Sequence, residues 1–216
     1  MRLSMLAVAA VSAVLWMGCG DGGNPGGGGG GTLSCGNREC RSAEMPDGKT
    51  WMTENLNKTT KDSWCYDNSA DSCNKYGRLY TWDAAKKACP NGWHLSALDE
   101  WEHLFESVGG TKKVTIESTD WLDAAKKLKS SSGWNEYLGN ISIGTDDYGF
   151  SALPGGSGYR DGAIVAGIIG TWWTATDMEA DVNIAAYSPF MYSYNDVAAV
   201  ALNPYDVGKS VRCVKN

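Results

Sequence analysis

Residues 89–105 read CPNGWHLSALDEWEHLF, and the spacing inside this stretch decides how the rest of the chain is read. It contains both histidines of a 216-residue protein, with Asp99, Glu100 and Glu102 between or beside them, which invites a metal or acid–base reading. The periodicity points elsewhere. Pro90-Asn91-Gly92 ends one helix, and Ser96 then caps another, with Asp99 at its third position in a capping-box pattern. Leu98, Trp101, Leu104, Phe105 and Val108 recur at helical spacing, and Gly109-Gly110 stops the run. His103 falls on the polar side with Glu102 and Glu106, while His94 precedes the cap. A metalloprotease helix needs two histidines four residues apart on one face, and this helix carries only His103. The histidines and acids are therefore expected at the helix end and on its solvent face.

Upstream, Thr81 caps the run TWDAAKKAC, in which Trp82, Ala85 and Cys89 share a face. Downstream, DWLDAAKKLKS is expected to be helical from Asp120, with Trp121, Ala124, Ala125 and Leu128 inward. After Ser130 short apolar runs alternate with Gly, Pro, Asn and Asp. Strands are expected at 148–153, 168–174, 182–187, 191–202 and 210–214. Two to three helices followed by a twisted antiparallel sheet make an α+β domain. Trp172 and Trp173 are adjacent in an expected strand, so their rings point to opposite faces, one into the core and the other available as a platform.

The N-terminal segment stands apart. MRLSMLAVAAVSAVLWMGC has an early cation at Arg2, an apolar run and a small residue before Cys19. This is the layout of an export signal and is too short for a comfortable membrane span. Ending on Gly-Cys, it resembles a bacterial lipoprotein signal over residues 1–18, which implies cleavage before Cys19 and acylation of that cysteine. Gly20 to Thr32 is dominated by glycine and has no apolar residue to bury, so residues 19–34 are expected to form a tether with a reach of roughly 20 Å. The folded domain is expected over 35–216.

Seven cysteines less Cys19 leave Cys35, Cys40, Cys65, Cys73, Cys89 and Cys213. An even number in an exported chain favours three disulfides, for which fifteen connectivities are possible. Spacing favours Cys35–Cys40 and Cys65–Cys73 as short loops and Cys89–Cys213 as the long closure. No cofactor or zinc site is expected from this pattern.

The formal net charge of −6 offers no basic surface for nucleic acid, which is excluded as a partner. Ten tryptophans and ten tyrosines stand against three phenylalanines, a bias toward rings with one polar edge. Trp134, Tyr159, Trp173, Tyr192 and Tyr194 lie in the loop-rich half and are the candidate ligand contacts; Tyr187 and Tyr205 lie there too. Asp146 and Asp147 are weak calcium candidates, without the spacing of a calcium loop. There is no G-x-S-x-G elbow, and no catalytic residue is assigned.

The blocks WMTENLN, WCYDN, YGRLYTWDAA, CPNGWHLSALDEWEHL, LKSSSGWN, DDYGFSALPGG, TWWTAT and SVRCVKN occur in this order. Together they resemble the major paralogous domain of Fibrobacter succinogenes. That family places a strand and an Ile-Gly turn before the WM block, whereas here PDGK runs into Trp51, so the first strand is expected to be clipped or absent. W-x-x-A-x-x-x-C is also similar to the first helix of C-type-lectin-like domains, and GWHLSALDEWEHL with a terminal VRCV resembles formylglycine-generating relatives of that fold. Both likenesses imply a bond from Cys89 to the last strand. Neither the lectin calcium motifs nor a free reactive cysteine pair is present, so neither activity transfers. The expectation is a non-enzymatic lipoprotein of the bacterial outer membrane, presenting a loop face to a polysaccharide or protein. An envelope assembly protein is the alternative, and a hydrolase ranks below both.

Overall fold

The computed structural model describes residues 40–116, 118–160, 162–178 and 184–216. The signal segment, Cys19, the glycine tether, the Cys35 end of the expected Cys35–Cys40 bridge and the start of the expected strand 182–187 lie outside them. The described part is an α+β domain of short helices and antiparallel sheets.

The central sheet runs in the order Ser42–Glu44, Thr50–Met52, Cys213–Lys215, Trp93–Leu95, so the end of the chain lies between two early strands. Val214 is opposite Trp51, and Cys213 is opposite Leu95. Successive side chains alternate faces, and here both faces are covered. Trp51 and Val214 enter one apolar cluster with Trp101, Phe105, Trp121, Phe150 and Trp172. Met52 and Cys213 enter the other with Leu56, Tyr80, Trp82, Leu95 and Trp173. In the first cluster Trp51 meets Trp101 edge to face at 5.0 Å.

The first strand is present after all. MPDGK is its hairpin loop: Gly48 donates to the Met45 carbonyl and adopts a φ of 78°, so the Pro-Asp-Gly turn folds Ser42–Glu44 back onto Thr50–Met52.

The quoted stretch forms the helix Leu98–Ser107, with Trp101, Leu104 and Phe105 buried and His103 exposed. Its cap lies one residue later than expected, at Ala97. Ser96 is occupied elsewhere, its hydroxyl accepting from Trp101 Nε1 at 2.7 Å. Glu100 takes the third helical position and accepts from the Ala97 amide at 2.8 Å. The upstream helix is capped by Thr81 but spans only Trp82–Ala85 before loosening into turns.

Asp120 does not start a helix. It lies in the strand Thr119–Leu122, and Asp123, at a φ of 67°, turns the chain into the helix Ala124–Leu128. The expected strand 191–202 is broken by a turn at 193–197, and Ala185–Tyr192 pairs with Ala198–Pro204 as a hairpin. Residues 148–153 form no strand because Ser151 is left-handed at a φ of 50° and only Ala152 bridges, to Lys129. The hairpin joins a five-stranded sheet in the order Ile169–Thr171, Ala185–Tyr192, Ala198–Pro204, Thr119–Leu122, Thr111–Val114.

The disulfides Cys65–Cys73 and Cys89–Cys213 form, closing separations of 8 and 124 residues. Cys73 lies on the helix Ala70–Tyr76, whose polar sequence gives no apolar periodicity.

A buried polar hub joins distant segments. Asn55 Oδ1 accepts from Trp172 Nε1 at 2.9 Å and Arg212 Nε at 2.8 Å, while its Nδ2 donates to the Tyr76 carbonyl and Ser210 Oγ. Arg212, with no exposed surface, also donates to the carbonyls of Met52, Phe150 and Ser151. Burial pulls its pKa down to about 9.

Lys209 contrasts with this satisfied cation. It is 3% exposed, its ammonium lies 5.5 Å from the Trp173 ring, and it has no hydrogen-bond acceptor among the described residues. Burial alone lowers its pKa to about 7. The unfolded chain therefore binds more protons than the native one between pH 7 and 10.5, and stability rises with pH across that window. Lys209→Met is expected to stabilise the domain at pH 7 and to remove this rise, which contributes about 3 kcal/mol between pH 7 and 9.5. Urea melts of both proteins at the two pH values measure it; equal pH dependence would refute the assignment.

Candidate ligand-binding surface

Phe190 and Tyr192 are two residues apart on one strand and so share a face. The chain then turns, and Tyr194 stacks on Tyr192 with centroids 4.8 Å apart and planes at 19°. Tyr137 continues the row at 5.4 Å from Tyr194, and Phe190 meets Tyr192 edge-on at 5.3 Å. Tyr137 is held by a two-residue turn in which Leu138 and Gly139 both have positive φ, with Tyr137 and Asn140 exchanging backbone hydrogen bonds. Tyr137 is exposed and the other three rings are half-buried, leaving a ribbon of aromatic surface.

The turn beneath the row is fixed by Lys129. Its ammonium is fully buried and donates to the carbonyls of Ser142 at 2.6 Å, Asn195 at 2.8 Å and Tyr192 at 3.1 Å. Burial lowers its pKa to about 8, opposed by the carboxylate of Asp196 at 3.9 Å. Ser142 closes the loop by donating its hydroxyl to Asp196 and its amide to the Ser193 carbonyl. Burial, then Tyr192 and Tyr137, raise the Tyr194 phenol.

The structure brings together Tyr192 and Tyr194 of the expected contacts, and not the rest. Trp134 is a buried support whose Nε1 donates to Ser130 Oγ at 3.1 Å. Trp173 is fully buried and donates to the Tyr80 carbonyl at 2.8 Å. The segment just after the strand Ile169–Thr171 places Trp172 in one apolar cluster and Trp173 in the other, so neither is free to act as a platform. Tyr159 is exposed but lines a separate cleft. Tyr205 is stacked on Trp82 at 4.3 Å. Sequence reasoning missed Tyr137 and Phe190. The alternation of Phe190, Tyr192 and Tyr194 was the available signal for the latter; Tyr137 has none, because only the fold delivers it.

The charged groups of the quoted stretch are also relocated. Glu100 is buried, binding Lys49 Nζ at 2.9 Å and His94 Nε2 at 3.0 Å, while His94 Nδ1 meets Asn216 Oδ1 at 2.7 Å. Burial pushes its carboxyl up, but the Ala97 amide, Lys49 and His94 outweigh this and hold it below the usual value. This set ties the helix start to the end of the chain. Of the calcium candidates, Asp146 braces a turn, both its oxygens accepting from Ser151, and Asp147 is exposed. Among the described residues no three His, Cys, Asp or Glu side chains converge to hold a metal ion.

These features define a class: an α+β domain braced by disulfides that include Cys65–Cys73 and Cys89–Cys213, with a central sheet buried on both faces and an aromatic row on an outer turn. The chain belongs to the Fibrobacter succinogenes major domain family, whose model matches residues 38–215. No curated protein and no solved structure matches it.

Proposed function

We propose that the protein is a lipid-anchored bacterial envelope protein, acylated at Cys19 and held at the outer membrane, whose folded part is a non-enzymatic domain that binds a polysaccharide. The stacked row of Tyr192, Tyr194 and Tyr137 carries this reading, because ring faces on a braced turn suit the apolar faces of sugar rings. We read the domain as C-type-lectin-like, on the strength of the bond from Cys89, just after the Trp82–Ala85 helix, to the last strand. Among the described residues no helix is long and apolar enough to cross a membrane, and attachment in this reading rests on the acylated cysteine.

The full-length chain in detergent is expected to be retained on cellulose or another insoluble plant polysaccharide. Replacing Tyr137, Tyr192 and Tyr194 together by alanine is expected to weaken retention about tenfold or more, since each ring contact is worth roughly 1 kcal/mol. Unchanged retention of the triple variant would remove the row from the binding surface. A discrete protein adduct on cross-linking intact cells, with no polysaccharide retention, would replace this reading by an envelope-assembly role.

A further inference from the structure

Apart from the tyrosine row, an open cleft of about 570 Å³ is lined by Thr60, Lys61, Asp62, Trp64, Arg78 and Arg160, among others. It arises where the strand pair Ser63–Trp64 and Leu79–Tyr80 meets the hairpin 157–164, whose turn carries Arg160. Gly208 lets the two parts approach. It exchanges backbone hydrogen bonds with Gly158, and a Cβ there would lie 2.3 Å from the Trp64 ring.

The charge of this cleft opposes that of the protein. Among the described residues that line it, three cations face one carboxylate, in a chain of net charge −6. Arg78 is fixed in place, donating to Ser63 Oγ and the Ser63 carbonyl at 3.1 Å and lying 3.6 Å from the sulfurs of Cys65 and Cys73. Arg160 is exposed, 5.7 Å from the Trp64 ring and 3.3 Å from Asp62. Lys61 is exposed beside them. Behind the wall, Trp64 Nε1 and Thr60 Oγ1 are buried and have no hydrogen-bond partner among the described residues.

The cleft continues past Trp64 and Arg160 into a second concavity of about 480 Å³ that adds Thr81, Tyr159 and Asp206. That arm offers an exposed ring, a hydroxyl and a carboxylate, which suit a sugar ring and its hydroxyls. We propose that the double cleft binds an acidic saccharide unit, its carboxylate or sulfate between Lys61, Arg78 and Arg160 and its ring against Tyr159. This deepens the polysaccharide reading and rests on it. The pair Arg160–Asp62 serves as the exchangeable contact, since an incoming anion competes with Asp62 for the guanidinium.

The test is a calorimetric titration of the full-length chain in detergent with a short oligogalacturonate, its methyl ester, a sulfated oligosaccharide of similar length, and inorganic sulfate. The acid or the sulfated sugar is expected to bind at least tenfold more tightly than the ester and than inorganic sulfate, and more weakly as salt is raised. Which of the two acids binds identifies the source of the charge. Lys61→Ala with Arg160→Ala is expected to weaken binding about tenfold or more, and Asp62→Asn to strengthen it; all three side chains are exposed, so the fold is retained. Equal binding of acid and ester, equal binding of inorganic sulfate, or no response to the double variant would overturn the proposal. The tyrosine-row variant separates the two readings. Loss of polymer retention there with oligogalacturonate binding intact supports both sites, whereas polymer retention without binding of either acidic sugar sinks the cleft alone.

Discussion

Replacing Cys89 and Cys213 together by alanine is expected to lower the unfolding free energy by about 5 kcal/mol. The bond closes a separation of 124 residues, and in the chain-entropy account the cost of leaving such a loop open grows with its length. The same account gives about 2.5 kcal/mol for Cys65–Cys73, which closes a separation of only 8. The long bond also acts on the native side. Cys213 sits in the middle of the central sheet, opposite Leu95, and is fully buried. Urea denaturation of the two paired-cysteine variants measures the contrast. A loss for Cys89–Cys213 no larger than for Cys65–Cys73 would show that the native sheet, and not the open chain, sets the balance.

Asn55→Ala is expected to cost about 3–5 kcal/mol. The change strips one acceptor from the buried Arg212 guanidinium and, among the described residues, the only acceptor from Trp172 Nε1. It also orphans the Tyr76 carbonyl and leaves Ser210 Oγ without its amide donor. Most of the cost comes from a buried cation left short of partners, because unmade bonds in the interior are more expensive than made ones are favourable. Asn55→Asp is the informative companion. It keeps the oxygen that serves Trp172 and Arg212 and loses only the two donations, so its loss should be smaller, about 1–3 kcal/mol. Chemical denaturation of both variants decides it; equal losses would shift the weight of the hub from Arg212 to Tyr76 and Ser210.

These two features differ in how far they can be read from sequence. The long disulfide is legible because the close spacing within the two short pairs leaves Cys89 and Cys213, and the likeness to lectin-like domains implies the same bond. The helix Leu98–Ser107 is legible because Trp101, Leu104 and Phe105 repeat at its period. The hub has no such signal, since Asn55, Trp172, Ser210 and Arg212 are brought together only by the finished fold. Glu100 illustrates a finer limit. Moving the cap by one residue, from Ser96 to Ala97, exchanges the roles of Asp99 and Glu100 and turns an expected surface acid into the buried partner of Lys49 and His94. Trp173 was misread for a similar reason. Alternation says that neighbouring strand residues face opposite ways, but not whether both sides are covered. At the surface, Tyr192 and Tyr194 are legible as aromatic residues in a loop-rich region, and their stacking is not, because it depends on the buried Lys129 drawing three carbonyls to one point.

The central sheet acts as a partition. Trp51 and Met52 are covalent neighbours, yet they belong to separate interiors, and so do Trp172 and Trp173, and Cys213 and Val214. A void opened beside Met52 cannot be filled by atoms that surround Trp51, because a layer of hydrogen-bonded backbone stands between them. Each compartment must tolerate its own substitutions, and the Asn55–Arg212 hub, which reaches Trp172 on one side and the Met52 carbonyl on the other, is a point where the two are coupled.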